Sequence, residues 1–343
     1  MTRATLRSRL LVSTARMTLR PVAEALSRGS AQVPFARTVV AAAMFLGSPP
    51  PYRVRVDSLD SATVRGEWVY PPSAKDSPQV ILYVHGSGYA ICSARTHRGI
   101  AARLARLTRM PTFVVDYRLA PEHRFPAAAD DVAAAYEWLL DIGYRRENIT
   151  VVGDSAGGHL IIDLLAEQVR QGQTPWATTV LLSPLIDLTL RTAREREKHY
   201  GPDPLISARA ARRLVSHYTT GQPPDLGRLA LTIDPCSALP PTLIQVGGAE
   251  MLGGDAQLAH EMITDAGGHC ELQVWPGQMH VFQALPALIP EATPALRAVA
   301  DFITTRSTAP THDGAQQSTH QAATTQGSAK HQGTQPPKEL ERT

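Results

Sequence analysis

The sequence predicts an α/β fold: a mostly parallel central sheet with helices on both faces and a helical cap. Three observations carry that reading. Short apolar, β-branched runs alternate with helix-length amphipathic stretches through most of the chain. Glycine- and proline-containing turns separate them. One strand-like run, Ile149-Thr150-Val151-Val152, passes into a helix-like run through Gly153-Asp154-Ser155-Ala156-Gly157-Gly158. That turn is so sharp that its serine needs glycines on both sides. Regular alternation of strand and helix indicates a parallel sheet covered on both faces.

Pro49-Pro50-Pro51 closes an N-terminal helical segment, because proline cannot extend a helix. Val64–Tyr70 reads as an early strand, stopped by Pro71-Pro72. Further strands fall near 80–84, 112–116, 149–152, 178–182, 242–246 and 271–275. Helices fall near 96–109, 127–141, 156–170, 254–266 and 292–305. In the first of these, Arg98, Arg103 and Arg106 share an amphipathic pattern with Ile100, Leu104 and Leu107. The alternation breaks once, between Asp187 and Pro241. The stretch from Arg191 to Thr220 is charged and helical in character, with Pro202, Pro204 and Pro223-Pro224 as breakers. An insert over about 188–223 therefore joins residues 1–50 as a cap over a domain spanning 51–306. From Ser307 onward Thr, Gln, Ser, His, Gly and Ala dominate, and Leu340 is the only large aliphatic residue. Such a segment cannot offset its ordering entropy, so 307–343 reads as a disordered tail.

At 343 residues with 43% hydrophobic composition, the chain can bury one large core or two ordinary ones. A net charge of +3 argues against dedicated nucleic-acid binding, which needs a concentrated basic face. Cys92, Cys236 and Cys270 are odd in number and widely spaced, which disfavours a disulfide framework or a zinc site. A reducing, cytoplasmic compartment is the default. No apolar run reaches the roughly 18 residues of a membrane span. Arg3, Arg7, Arg9, Arg16 and Arg20 precede the first acid, Glu24. An arginine-rich, acid-poor leader of this kind suits a helical lid with a solvated face, or contact with an anionic membrane surface.

The serine of the sharp turn stands at a helix N-terminus, where an anionic intermediate is favoured. A second turn, His85-Gly86-Ser87-Gly88-Tyr89, lies 70 residues upstream of Ser155, after the strand-like run Val80–Val84. Glycine-rich turns at strand ends can aim consecutive N–H groups at one point, as acyl transfer through a serine requires. With Asp116-Tyr117-Arg118-Leu119-Ala120-Pro121-Glu122 and Phe125-Pro126-Ala127-Ala128 added, the chain resembles the hormone-sensitive-lipase-like family of α/β-hydrolases over roughly 52–305. The family's elbow G-D-S-A-G-G is matched in full from Gly153 to Gly158. Its H-G-G-G loop is matched except at Ser87, where glycine is usual. The resemblance implies a metal-free, cofactor-free serine esterase whose oxyanion donors are the N–H groups of Ser87, Gly88 and Ala156. Ser87 is then expected to turn its side chain from the substrate and to avoid glycine-only backbone angles.

A serine hydroxyl needs a base and an orienting acid. Chain order on this fold is Ser, acid, His. Of His159, His199, His217, His260, His269 and His280, only His280 stands in a Pro/Gly loop after the last strand-like run, and Met279-His280-Val281-Phe282 resembles the family's M-x-H-x-F. The acid should follow the strand Thr242–Val246, which leaves Glu250 and Asp255. Asp255 opens a helical pattern and fits an N-cap. The family resemblance, through Gly247-Gly248-Ala249-Glu250-Met251-Leu252, favours Glu250. Asp154 is read as a support for the elbow, and Asp130 and Asp187 as loop ties.

The expected partner is a small-molecule ester or lipid, with no nucleic acid. Peripheral membrane contact through the basic N-terminus and a homodimer are left open. The alternatives are a lipase or phospholipase acting at a membrane surface, and a non-catalytic ligand receptor on the same fold. The presence of His280 speaks against the receptor.

Overall fold

The computed structural model describes residues 4–51 and 53–307, so the expected tail lies, beyond Ser307, outside the described residues. The strands are β1 (Arg55–Asp60), β2 (Arg65–Tyr70), β3 (Val80–Val84), β4 (Thr112–Val115), β5 (Ile149–Asp154), β6 (Thr178–Leu182), β7 (Thr242–Gly247) and β8 (Cys270–Trp275). They form one sheet in the order β1-β2-β4-β3-β5-β6-β7-β8. Pairing is antiparallel from β1 to β2 and from β2 to β4. It is parallel from β4 through β8. Every residue of β3 to β7 is buried. That is why these strands read as continuous apolar runs rather than as alternating ones.

Side chains alternate between two cores, as the period of a strand requires. Leu82, Val84, Val151 and Ile244 face one side, covered by α4 (Ala127–Asp141), α5 (Ala156–Arg170) and α8 (Gly253–Asp265). Ile81, Tyr83, Val152 and Leu243 face the other, covered by α3 (Ala94–Thr108) and α9 (Ala292–Ser307). Each such fully buried aliphatic chain contributes about 1.5–3 kcal/mol. The double cover makes the sheet a rigid frame for the loops at its edge.

β1 is absent from the sequence reading, which begins the strands at Val64. Its burial pattern is mostly exposed, with no apolar period to see. Pairing holds it instead, with Arg55 opposite Tyr70 and Asp60 opposite Arg65, and the Tyr70 hydroxyl donates to Asp57.

Four helices stand outside the strand–helix alternation: α1 (Leu6–Leu26), α2 (Val33–Gly47), α6 (Arg191–Tyr200) and α7 (Ala208–Thr219). Thr5 caps α1 by accepting the Ser8 N–H at 3.2 Å, and its own N–H donates to Glu291 at 2.7 Å. At the far end, Glu24 accepts the Ser207 N–H at 3.1 Å, and Arg213 donates to Glu24 at 3.1 Å and to Ser27 Oγ at 3.0 Å. Arg20 lies 3.6 Å from Glu197 of α6. The N-terminal helices and the insert are thus tied to each other. No helix among the described residues is long and apolar enough to cross a membrane.

Candidate active site

Parallel pairing sends the carboxyl ends of β3, β5, β7 and β8 to the same edge of the sheet, where ligands bind in open α/β folds. Residues 85–89 follow β3, Ser155 follows β5, Glu250 follows β7 and His280 follows β8.

Ser155 has φ 51° and ψ −120°, a conformation that costs of order 1–3 kcal/mol and persists only when its surroundings impose it. The surroundings do so. Its N–H donates to the Leu182 carbonyl at 2.9 Å, and its carbonyl accepts from Gly158 at 2.9 Å and Leu185 at 3.0 Å. A Cβ on Gly157 would sit 2.1 Å from the Val84 carbonyl, so only glycine lets the elbow approach β3 this closely. Ala156 is the first residue of α5, and its N–H lacks an acceptor within the helix.

His280 Nε2 lies 3.0 Å from Ser155 Oγ, and His280 Nδ1 lies 3.3 Å from Glu250 Oε1. A carboxylate only accepts, so Nδ1 carries the proton and Nε2 is free to accept one from the serine. The other carboxylate oxygen of Glu250 accepts from Ser183 Oγ at 2.8 Å and from the Gly247 N–H at 3.0 Å. Ser183 Oγ in turn accepts the Val281 N–H at 3.1 Å, so one hydroxyl fixes both Glu250 and the residue after His280. Burial pushes the imidazole pKa of His280 down, but Glu250, then Asp203 and Asp154, more than offset it and hold it above its ordinary value.

Asp255 does not reach His280. Its Oδ1 accepts the N–H groups of Ile186 and Asp187, both at 2.8 Å. It also does not cap α8: Leu252 is the N-cap, and Asp255 sits inside the first turn. Burial raises its carboxyl to about 7. Asp154 accepts from the Tyr83 hydroxyl at 2.9 Å and lies 3.3 Å from His97 Nε2. Burial opposes its ionisation, yet His97 and Tyr83 hold its pKa below the usual value. Asp130 pairs with Arg228 at 3.0 Å, and Asp187 accepts the N–H groups of Thr189 and Thr192 at 2.9 Å each. His159, just past the elbow, turns away to the Leu229 carbonyl at 3.3 Å.

Gly86 lets the β3 loop meet the elbow: a Cβ there would lie 2.3 Å from Asp154 Oδ2 and 2.8 Å from Ser155 Cβ. Beyond it, the N–H groups of Ser87 and Gly88 have no acceptor among the described residues. Ser87 was expected to avoid glycine-only backbone angles, yet its φ lies in the left-handed region that favours glycine. Ser87 has φ 81° and Gly88 φ 60°. The Ser87 carbonyl accepts from Ala90 and Ile91, both at 3.3 Å, and this tight turn sets the angle. The Ser87 hydroxyl lies 2.7 Å from Cys92 Sγ, whose thiol burial pushes up to about 11. Leu214 of α7 packs directly over Gly88.

Ser183, Asp203 and Arg196 carry no motif in the sequence. Asp203, in the loop between α6 and α7, accepts the Met251 N–H at 2.8 Å. Arg196 Nε donates to the Glu250 carbonyl at 2.8 Å. A serine at the end of β6 is the single legible signal, since strand ends on this edge carry the site loops.

A family model described as alpha/beta hydrolase fold matches residues 81–284. The chain belongs to that family. This α/β-hydrolase is 38% identical over 239 residues to the carboxylesterase/phospholipase LipF of Mycobacterium tuberculosis, a match covering 67% of this chain and 63% of LipF. It is 35% identical to the esterase LipU of the same organism, over 73% of this chain and 85% of LipU. Among solved structures, an esterase from the bacterial hormone-sensitive lipase family superposes with a TM-score of 0.79 at 31% identity. That match covers 90% of this chain and all of the other.

Proposed function

We propose that this α/β-hydrolase is a serine carboxylesterase that cleaves short- to medium-chain esters through an acyl-enzyme. The observation that carries the reading is the continuous line from Ser155 Oγ through the His280 ring to Glu250, at 3.0 and 3.3 Å. It stands beside backbone N–H groups that have no acceptor among the described residues. The names of LipF and LipU support the same reaction class.

In this reading His280 Nε2 takes the proton of Ser155 as its oxygen attacks the ester carbonyl carbon. The N–H groups of Ser87, Gly88 and Ala156 hold the oxyanion. Glu250 keeps the imidazole in the accepting tautomer and stabilises its charge. The C–O bond breaks, and the alcohol leaves with the proton from Nε2. Water then attacks the acyl carbon, giving its proton to Nε2, and Ser155 departs with that proton as the acid is released. Residues 1–50 and about 188–223 act as the cap, with Leu214 closing the acyl pocket over Gly88. The test is turnover of p-nitrophenyl esters from acetyl to palmitoyl, with Ser155→Ala as control. Turnover surviving in that variant overturns the reading.

Hydrolysis of lipid esters at a membrane surface is the second reading, favoured by the exposed apolar residues of α1. Deleting residues 1–20 does not separate it cleanly from soluble-ester hydrolysis. Leu11, Val12 and Ala15 pack against Met279 and Phe282, the neighbours of His280.

A further inference from the structure

We propose that the outward face of α1 and α2 is a docking surface for an anionic phospholipid bilayer. Large apolar side chains concentrate there against the usual rule for a soluble surface. Leu6, Leu10 and Met17 of α1, with Phe35, Phe45 and Leu46 of α2, are 61% to 80% exposed. Single exposed leucines need no explanation, but a cluster of this size does.

The arrangement on α1 is periodic. Positions 6, 10 and 17 fall on one stripe of a helix of 3.6 residues per turn. Arg9, Arg16 and Arg20 fall along one edge of that stripe. The opposite side of the helix carries Ser8 and Ala15, which are buried, so the stripe points to solvent because the inner face is already occupied. On α2, Phe35, Ala42, Phe45 and Leu46 repeat the same spacing, while Val33 and Ala36 are buried. The two helices pack against each other.

Charge selects the occupant. From Leu6 to Gly47 the chain carries six arginines and one acid, Glu24. Glu24 is engaged with Arg213 and the Ser207 N–H, and Arg20 with Glu197. Arg9 and Arg16 have no acidic partner among the described residues. Exposed apolar residues bordered by unpaired cations match the interfacial region of a negatively charged leaflet, where lipid tails take the former and headgroup phosphates the latter.

The face is also placed for use. One end of α1 rests on the segment after His280, through Thr5 and Ser8 on Glu291 and Ala15 among Met279 and Phe282. Its other end is held by Arg213 of α7, the helix whose Leu214 covers Gly88. Docking by this face would hold the reacting edge of the sheet next to the lipid.

The test is flotation of the full chain with vesicles of pure phosphatidylcholine, and of phosphatidylcholine mixed with phosphatidylglycerol. The expected result is binding to the mixed vesicles only, weakened by raised salt. Leu10→Ser with Met17→Ser, and separately Arg9→Gln with Arg16→Gln, should each lower that binding at least tenfold. Both variants keep the inner face of α1 intact, so p-nitrophenyl butyrate turnover in vesicle-free solution should fall far less than vesicle binding. The vesicle measurement needs no hydrolysis, so it stands or falls apart from the esterase reading. Failure of the unsubstituted chain to bind overturns the proposal. So does equal binding to neutral vesicles. A shift from dimer to monomer in the Leu10→Ser/Met17→Ser variant also overturns it, because the face would then join two copies of the chain.

Discussion

Asp203 accepts the N–H of Met251, the residue after Glu250, from a loop far away in sequence. Its Oδ1 accepts the Leu205 N–H at 2.7 Å, so the carboxylate bridges the insert and the acid loop. Burial raises its own pKa, and it adds to the field that raises the pKa of His280. His280 must be neutral to accept a proton, so activity rises with pH through that raised value. Asp203→Asn removes one of the carboxylates that favour the imidazolium. The acid limb of kcat/KM should then move to lower pH, with kcat reduced several-fold. A profile that stays in place would leave Asp203 with a purely structural role.

Replacement of Ser155 or His280 by alanine should lower kcat by about 10³–10⁶, and the double variant should be no worse than either single one. Residues that act as one unit do not add. The p-nitrophenyl butyrate assay reads all three. Additive losses would mean that the 3.0 Å contact between them is not used in the reaction.

Glu250→Gln and Asp255→Asn should separate chemistry from stability. The first puts an amide where His280 Nδ1–H needs a carboxylate, and turnover should fall by about 10²–10⁴. The second should leave turnover within a few-fold but alter the pH dependence of unfolding. The Asp255 carboxyl titrates near 7 in the fold, against 3.8 ordinarily, so folding favours its neutral form. Its contribution is fully present below the unfolded value and is lost as pH rises through the folded one. Wild-type Tm should therefore drop more than that of Asp255→Asn between about pH 5 and pH 8.

Gly86→Ala should be severe. The new methyl would meet the buried Asp154 carboxylate and carbonyl at 2.3 and 2.7 Å, and overpacking of this kind costs about 1–3 kcal/mol or more. Thermal melts should show it as a lower Tm. Ser87→Gly should do the opposite of harm. It frees a residue from φ 81° and keeps the N–H, so turnover should stay within about threefold. A collapse in activity would show that the Ser87 hydroxyl, beside Cys92, positions the loop.

The parallel strands were legible because burial on both faces writes them as unbroken apolar runs, and β3, β6 and β7 begin where those runs do. β1 was not, because neighbour pairing rather than its own pattern creates it. The elbow and the loop at Gly86 were legible because tight turns demand glycine at fixed offsets. Burial and distance from β7 do not separate Glu250 from Asp255, since both follow that strand and both are buried; the resemblance through Gly247–Leu252 is what favours Glu250. In the structure the two carboxylates point apart, Glu250 to His280 and Asp255 to the N–H groups of Ile186 and Asp187. The φ of Ser87 was misread because the turn closed by Ala90 and Ile91 outweighs the side chain's own preference. The ties from Glu24 to Arg213 and from Asp203 to Met251 join distant residues and leave no local trace.

The grip of Arg196 and Asp203 on residues 248–251 bears on protein engineering. Grafting the α6–α7 segment of a relative onto this scaffold also removes two braces from the backbone of the loop that carries Glu250. A chimera that keeps neither residue would change the pocket and loosen the loop beneath it together, with Ser183 and the Gly247 N–H left to hold the Glu250 carboxylate. One that retains both would isolate the pocket's effect on selectivity from the machinery beneath it.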